Sequence, residues 1–379
     1  MGLKFEPLGK YIHEVDVRNT DLSVTKLMGV NLSKQMMPSV ANIIGTDLSV
    51  YKIVKNRQFA CKLMSVGRDA CLPIALKLDE EPVIISSAYY SFEVNDENKM
   101  LPEYLMLCFL RPDFDRELWF RTGGDVRGGV TWEAFCNIEI PVKTIVEQRK
   151  MVRDYQIISD RIDLLRKINF NLQSIIDADF ERFYSESCDM ETILSSVCAL
   201  TSSKRVFAED YVSEGIPFYR GGEISLKKIG EPIEAPLFIS REHYQTIKDT
   251  YGIPTEGDIL ITAVGTIGNS YLVENEEFYF KDGNIIWLKD FIEPEYRFFV
   301  YDFLQSSMFQ AALNSLYIGS TQIALTIVGL SGMKINIPEL PALHEYASRS
   351  AVFRKEIQRN QKELLELHHL RKLLLAKGA

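Results

Sequence analysis

The 379-residue chain is 46% hydrophobic and 25% charged, with a formal net charge of −9. Its length suits two domains, each able to bury a core, and no apolar run approaches the ~20 residues of a membrane-spanning helix. An acidic balance of this size also speaks against an autonomous duplex binder with a basic footprint.

The N-terminal stretch MGLKFEPLGKYIHEVDVRN carries acids early and has no apolar core. It does not read as a signal peptide, which points to the cytoplasm. Within residues 1–143, Pro82–Ser87 (PVIISS) is rich in β-branched residues and reads as a strand, and Tyr104–Leu110 reads as a helix. Thr144 and Glu147 then have capping-box spacing, and a long helix over 144–186 is expected. On it Met151, Tyr155, Ile158, Ile162, Leu165, Asn169, Leu172 and Ile176 recur at alternating spacings of four and three.

In residues 187–340, Asp258–Thr262 (DILIT) reads as a strand and Tyr296–Phe309 as helical. The run GDILITAVGTIGNSYLV, residues 257–273, poses the sharpest question, because a glycine-rich turn can cradle a phosphate. No lysine stands at P-loop spacing after it, and Asn269–Val273 reads as another strand rather than a helix N-terminus. The run is read as a hairpin turn that needs glycine for positive φ. A second long helix over 341–379 carries Pro341 in its first turn, where a missing N–H costs nothing. Its seam is Tyr346, Ser350, Phe353, Ile357, Asn360, Leu364, Leu367, Arg371 and Leu374.

Alternating spacings of four and three keep a narrow apolar stripe on a partner helix, the coiled-coil pattern. The alternative, an amphipathic helix lying on its own domain, calls for a wider stripe. The first helix leaves one globe and the second returns from the other, so a pair packed along its length is antiparallel. At about 1.5 Å per residue, roughly 39 residues make a rod of ~58 Å. The expectation is a dumbbell of two α+β globes separated by two helices.

An internal repeat supports this reading. Pro102-Glu103-Tyr104 recurs as Pro294-Glu295-Tyr296, and Leu32-Ser33 recurs loosely as Ile224-Ser225. Asn137-Ile138-Glu139-Ile140-Pro141 recurs as Lys334-Ile335-Asn336-Ile337-Pro338, and each copy leads into a long helix.

Catalytic groups are harder to find. The chain has no GxxxxGK[ST], HExxH or GxSxG, and no Asn/Asp-Pro-Pro-aromatic run of the kind amino-methyltransferases carry. Cys61, Cys71, Cys108, Cys136, Cys188 and Cys198 form no CxxC pair and have no histidine at zinc-ligand spacing, so reduced, buried thiols and no metal site are expected. His368 and His369 sit in a Leu/Lys-rich tail that reads as a solvated helix face.

Taken in order, Arg127-Gly128-Gly129-Val130-Thr131-Trp132, Ile138-Glu139-Ile140-Pro141 running into Glu147-Gln148-Arg149, Gly257-Asp258-Ile259-Leu260, Gly265-Thr266-Ile267-Gly268-Asn269 and Gly319-Ser320-Thr321-Gln322 resemble the specificity subunit of a type I restriction-modification system. The resemblance covers the whole chain. It departs at Leu343-His344-Glu345-Tyr346, where the family usually has a Glu-Gln pair, and at Ser65-Val66-Gly67-Arg68, which stands where the second half has its Gly-Thr-Ile-Gly turn. It implies target-recognition domains at 1–143 and 187–340, spacer helices at 144–186 and 341–379, and a subunit without catalysis. Such a subunit reads a split site in double-stranded DNA, one half per domain, and holds two modification subunits through its helices. Those partners bring S-adenosylmethionine and methylate adenine. Restriction subunits, which are motor-nucleases using ATP and Mg, complete the complex, and no cofactor is expected on this chain.

Residues 186–340 hold 22 acidic against 11 basic side chains, so affinity for phosphates is expected to come partly from the partners. Hydrogen-bonding forks on turns are the candidates for base edges: Arg57, Arg68, Arg121 and Arg127 in the first half, and Arg220, Asn269 and Gln322 in the second. Thr266, Ser320 and Thr321 join them from the family motifs. Lys52, Lys62, Lys204, Arg205, Lys227 and Lys228 suit phosphates. The competing reading is a scaffold that bridges two identical protein partners without touching DNA, which the acidic second globe favours and the motifs disfavour.

Overall fold

The computed structural model describes residues 4–39, 45–123, 129–316 and 324–377. The chain divides into two compact units, Met1–Asp160 with His369–Ala379, and Arg161–His368.

The first unit runs through β1 (Lys4–Pro7), β2 (Ile12–Glu14), β3 (Met28–Val30), β4 (Met36–Pro38), β5 (Lys52–Val54), β6 (Phe59–Cys61), the single-turn α1 (Val66–Asp69), β7 (Ile74–Leu76), β8 (Val83–Ile85) and β9 (Tyr90–Val94). Then come α2 (Pro102–Phe109), α3 (Pro112–Arg121), α4 (Trp132–Cys136), β10 (Glu139–Val142) and the start of α5 (Ile145–Ser187). The main sheet has the order β2-β9-β6-β7. Its inner face presents Phe59 and Phe92, stacked at 4.7 Å, to Phe109 and Phe135 of the helical layer. Such offset ring pairs add to what their buried area contributes. Strand β1 pairs antiparallel with β10, so the chain's first strand is closed by the one that feeds α5. Two side ribbons, β3-β4 and β5-β8, complete the unit.

The capping box at the head of α5 is made: the Thr144 amide and hydroxyl both donate to Glu147 Oε2, at 2.9 and 2.6 Å. Gln148, fully buried, accepts from the Leu101 amide and donates to the Lys99 and Lys143 carbonyls. One amide side chain thus ties the entry of α2 to the first turn of α5.

The second unit repeats the frame. It contains β11 (Cys188–Ile193), β12 (Ala199–Thr201), β13 (Tyr211–Val212), β14 (Ile216–Tyr219), α6 (Gly221–Ile229), β15 (Leu237–Ile239), α7 (Arg241–Tyr251), β16 (Ile259–Thr262), β17 (Ser270–Leu272), β18 (Tyr279–Phe280) and β19 (Ile285–Lys289). Next come α8 (Tyr296–Phe303), α9 (Ser307–Leu316), α10 (Ile327–Ser331), β20 (Lys334–Pro338) and α11 (Leu340–Lys377). Strand β11 pairs antiparallel with β20 as β1 does with β10. The sheet β12-β19-β16-β17 has the order of the first, strand for strand. Even the small helices match, since Thr131 caps α4 and Thr326 caps α10 through the same hydroxyl-to-amide bond.

The halves differ in what hangs on the frame. The second carries a four-stranded sheet, β13-β15-β14-β18, with α6 and α7, where the described residues of the first form the two ribbons, joined by a parallel bridge between Leu27 and Ile84. One sequence match therefore fails as a repeat: Leu32-Ser33 lies in the β3-β4 turn, whereas Ile224-Ser225 lies inside α6. The expected helix over Tyr296–Phe309 is also two helices, because Ser306 interrupts it. Its hydroxyl donates to the Phe303 carbonyl and accepts from the Phe309 amide, ending α8 and capping α9.

Within the second unit α5 and α11 pack antiparallel along alternating spacings of four and three. Ile162, Leu165, Ile176, Phe180 and Phe183 are buried on α5, and Leu343, Tyr346, Ser350, Asn360 and Leu364 on α11. Cross-helix partners fall in number as the other rises. Arg161 forks onto Glu363 at 2.6 and 2.9 Å, Asn360 donates to Asn169 at 2.8 Å, and Phe183 stacks on Tyr346 at 4.5 Å. Leu172, Ile357 and Leu367 are half-buried along this stretch, and Tyr155 and Ile158 are half-buried in the first unit's part of α5. One seam position departs from expectation. Phe353 is half-buried, while the next residue, Arg354, points inward and pairs with buried Asp302.

Candidate nucleic-acid interface

The glycine-rich run forms an antiparallel hairpin, with Ile259 opposite Leu272 and Ile261 opposite Ser270. Thr262, fully buried, holds the turn shut: its Oγ1 accepts from the Asn269 amide at 3.0 Å, and its carbonyl accepts from the Gly268 amide. Gly265 has φ 78° and open space around the site of a Cβ, so backbone conformation alone demands glycine there. At the tip Val264, Gly265 and Thr266 face solvent.

Beside this tip stands the N-terminus of α6. Ser225 donates its one hydroxyl hydrogen to the Gly221 carbonyl at 2.9 Å. It therefore accepts from Asn269 Nδ2 at 2.9 Å and from the Thr266 hydroxyl at 3.1 Å. Thr266 and Asn269 are thus brought together by a serine that sequence reasoning did not select. Arg220, just before α6, is half-exposed and bonded through Nη2 to Glu223 Oε1 at 2.5 Å. Burial works against a charge on Glu223, but the bonds from Arg220 and the backbone outweigh it and hold the carboxyl below its ordinary range. Exposed Thr266 and Arg220, with half-buried Ser225 and Asn269, make one polar rim on the second unit, and the apolar Val264 stands exposed beside it.

The corresponding connection in the first unit, between β6 and β7, is the longer segment 62–73 with α1 inside it. Arg68 is two-thirds exposed and forks onto its neighbour Asp69 at 2.7 and 2.8 Å. Lys62 lies 5.7 Å from the Tyr89 ring centre. Gly129 packs against this connection so closely that a Cβ would come within 2.8 Å of Met64 Cα, and Val130 donates to the Leu63 carbonyl. Arg127, Ser320, Thr321 and Gln322 lie outside the described residues.

Most of the other candidate cations are already engaged. Lys52 is almost fully buried between Glu14, at 3.3 Å, and the Tyr90 ring, so it is a structural cation rather than a phosphate contact. Arg57, at φ 66°, is held by both Glu97 and Glu103. Lys227 is half-buried against Glu276 at 2.7 Å, and Lys228 lines a cavity in the second unit. Arg121 pairs with Glu117, Arg205 with Asp282, and Lys204 covers the Tyr251 ring. Arg68, Arg205 and Arg220 each expose more than half of the side chain, so they can turn toward an incoming phosphate or base. Lys52 cannot, because opening it would strand a buried charge. Among the described residues no cluster of His, Cys, Asp and Glu could hold a metal ion, and no helix is long and apolar enough to cross a membrane.

The α+β frame thus occurs twice, each copy running into a long helix, and the second copy exposes a rim at its hairpin. Residues 190–367 match the model of the type I restriction modification DNA specificity domain. A Haemophilus influenzae protein named as a type I restriction enzyme specificity subunit is 32% identical over 156 residues, which is 41% of this chain. The matched stretch spans 37% of that relative's length. The fold is that of a solved type I restriction-modification S subunit from M. genitalium, with a TM-score of 0.57 at 14% identity, covering 100% of this chain and 96% of the other.

Proposed function

We propose that this chain is the sequence-reading, non-catalytic subunit of a cytoplasmic type I restriction-modification complex, and that each unit reads one half of a split DNA site. The repeated frame carries the reading. The same strand order recurs in both units, while the lobes between β2 and β6 and between β12 and β16 differ, as two readers of different half-sites would require. The exposed rim on Ser225, Thr266 and Asn269, with Arg220 beside it, is the base-facing surface of the second unit. Arg68 and the β6-β7 connection are its counterpart in the first.

Two modification subunits dock on the helices. Ile157, Leu164 and Ile175 on α5 and Val352, Leu370 and Leu373 on α11 are exposed apolar side chains, an unusual load for helices that have already buried a seam. S-adenosylmethionine belongs to those partners, and ATP and Mg to the motor-nuclease subunits. Gel-shift titrations of the chain with duplex DNA, with and without modification subunits, test the reading. Weak, salt-sensitive binding by the chain alone should become tight and sequence-specific with the partners. Methyl transfer from S-adenosylmethionine by the chain alone would overturn it.

A further inference from the structure

A cavity of about 350 Å³ lies in the second unit between the hairpin strand β17, the ends of α6 and α8, and the helix pair. Volumes of this order hold small molecules. Its walls are apolar: Tyr271, Leu272, Tyr301, Ile357 and Leu364, with Phe170 at the side. Of the three cations on its lining, Arg166, Lys228 and Arg354, the last two bear on what it could hold. Arg354 is almost fully buried; one nitrogen pairs with Asp302 and its plane covers the Tyr301 ring at 4.9 Å, but its Nε–H has no acceptor among the described residues. Lys228 is the second. It forms no ion pair within 4 Å among the described residues, and burial holds its ammonium below the ordinary lysine range despite Asp177 nearby.

The remaining charges on the lining do not answer these two. Arg166 is engaged by Glu231. Burial raises the Glu274 carboxyl, and Lys362, its ion-pair partner among the described residues, is 3.9 Å away. The Arg354 Nε–H itself is sealed from solvent, but its guanidinium charge adjoins the cavity, and a half-buried ammonium beside it gains more from an anion than from a neutral group. Among small molecules, these walls and these two donors select an apolar body bearing a single carboxylate.

We propose that this cavity is a binding site for a small amphipathic monocarboxylate, its carboxylate between Arg354 and Lys228 and its apolar body against Tyr271, Tyr301 and Ile357. The site is separate from the base-facing rim and does not depend on how DNA is read.

Calorimetric titration of the full chain with 4-phenylbutyrate, and in parallel with the neutral 4-phenylbutanamide, tests it. Saturable binding of the acid at one site is expected, with the amide at least tenfold weaker. Lys228→Met should weaken the acid about tenfold and leave the amide unchanged. Ile357→Trp fills the cavity and should abolish both, with the far-ultraviolet circular dichroism of the native chain as the check on folding. Equal binding of acid and amide, no binding of the acid, or undiminished binding by folded Ile357→Trp would each overturn the proposal.

Discussion

Asp258 shows what a motif residue does when it is not a ligand-binding one. A single carboxylate oxygen accepts from the Thr255 amide at 2.8 Å, the Thr255 hydroxyl at 3.2 Å and Trp287 Nε1 at 2.9 Å. Burial raises its carboxyl above the ordinary aspartate value even though these donors pull the other way. With the folded value raised, stability is greatest below the unfolded value of 3.8 and declines as pH rises through the folded one. Asp258→Asn keeps an acceptor and removes the buried charge, so it should lie within about 1 kcal/mol of wild type and flatten the pH dependence above about 4. Asp258→Ala should cost about 2–3 kcal/mol by orphaning the indole and amide donors. Urea melts of the three proteins at acidic and at neutral pH check both. At the rim proposed to face DNA, Arg220→Ala should relax base preference at one position of one half-site, by about 1–3 kcal/mol. Methylome sequencing that returns an unaltered motif would remove Arg220 from the readers. Single residues were the least legible level in the sequence. Lys52 and Arg68 look alike as letters, and only the fold buries one against Glu14 and leaves the other on a turn. Ser225 stood out only in a loose match to Leu32-Ser33 that the fold does not repeat.

Elements were far more legible, because periodicity is imposed by geometry that sequence must obey. The hairpin at 257–273, the capping box of α5 and the repeated Ile-x-Ile-Pro strands stand where their patterns point. The failures are also physical. A helix turns once in about 3.6 residues, so between Ser350 and Ile357 either Phe353 or Arg354 can face inward. Apolarity favoured the first, yet buried Asp302 on α8 selects the second. Ser306 broke a helix that propensity alone would have continued. Asn169 and Asn360 illustrate how an element fixes its own register. They pair at 2.8 Å within an apolar seam, and Asn360 is almost fully buried. Replacing Asn169 alone by Leu leaves the Asn360 amide without that partner and should lower stability by about 1–3 kcal/mol. The double replacement by Leu should raise the melting temperature while loosening the alignment of the helices, since a lone polar pair sets register at some cost in stability. Thermal melts with disulfide-trapping of cysteines placed along α5 and α11 separate the two effects. A double variant less stable than the Asn169→Leu protein would contradict a register role.

For the molecule as a whole, the repeat is the feature with most explanatory reach. Two units share a strand order that no chance match of tripeptides would produce, and they differ in the lobes inserted into it. The duplication was legible through Pro-Glu-Tyr and Ile-x-Ile-Pro because the frame must keep its strand ends and helix starts. Strands β13, β14, β15 and β18, with α6 and α7, stayed hidden because no sequence match between the halves marks them. The net acidity of residues 186–340 likewise finds a partial explanation: Glu223, Glu276 and Asp282 are paired with Arg220, Lys227 and Arg205. If each unit reads independently, specificity must be separable along the chain. Exchange of residues 1–143 for the matching domain of a relative with a different target, followed by methylome sequencing of cells expressing the chimera with its modification subunits, tests this directly. One half of the methylated motif should change to the donor's, with the other half unaltered. A motif changed in both halves, or unchanged in either, would contradict a reader built from two independent units.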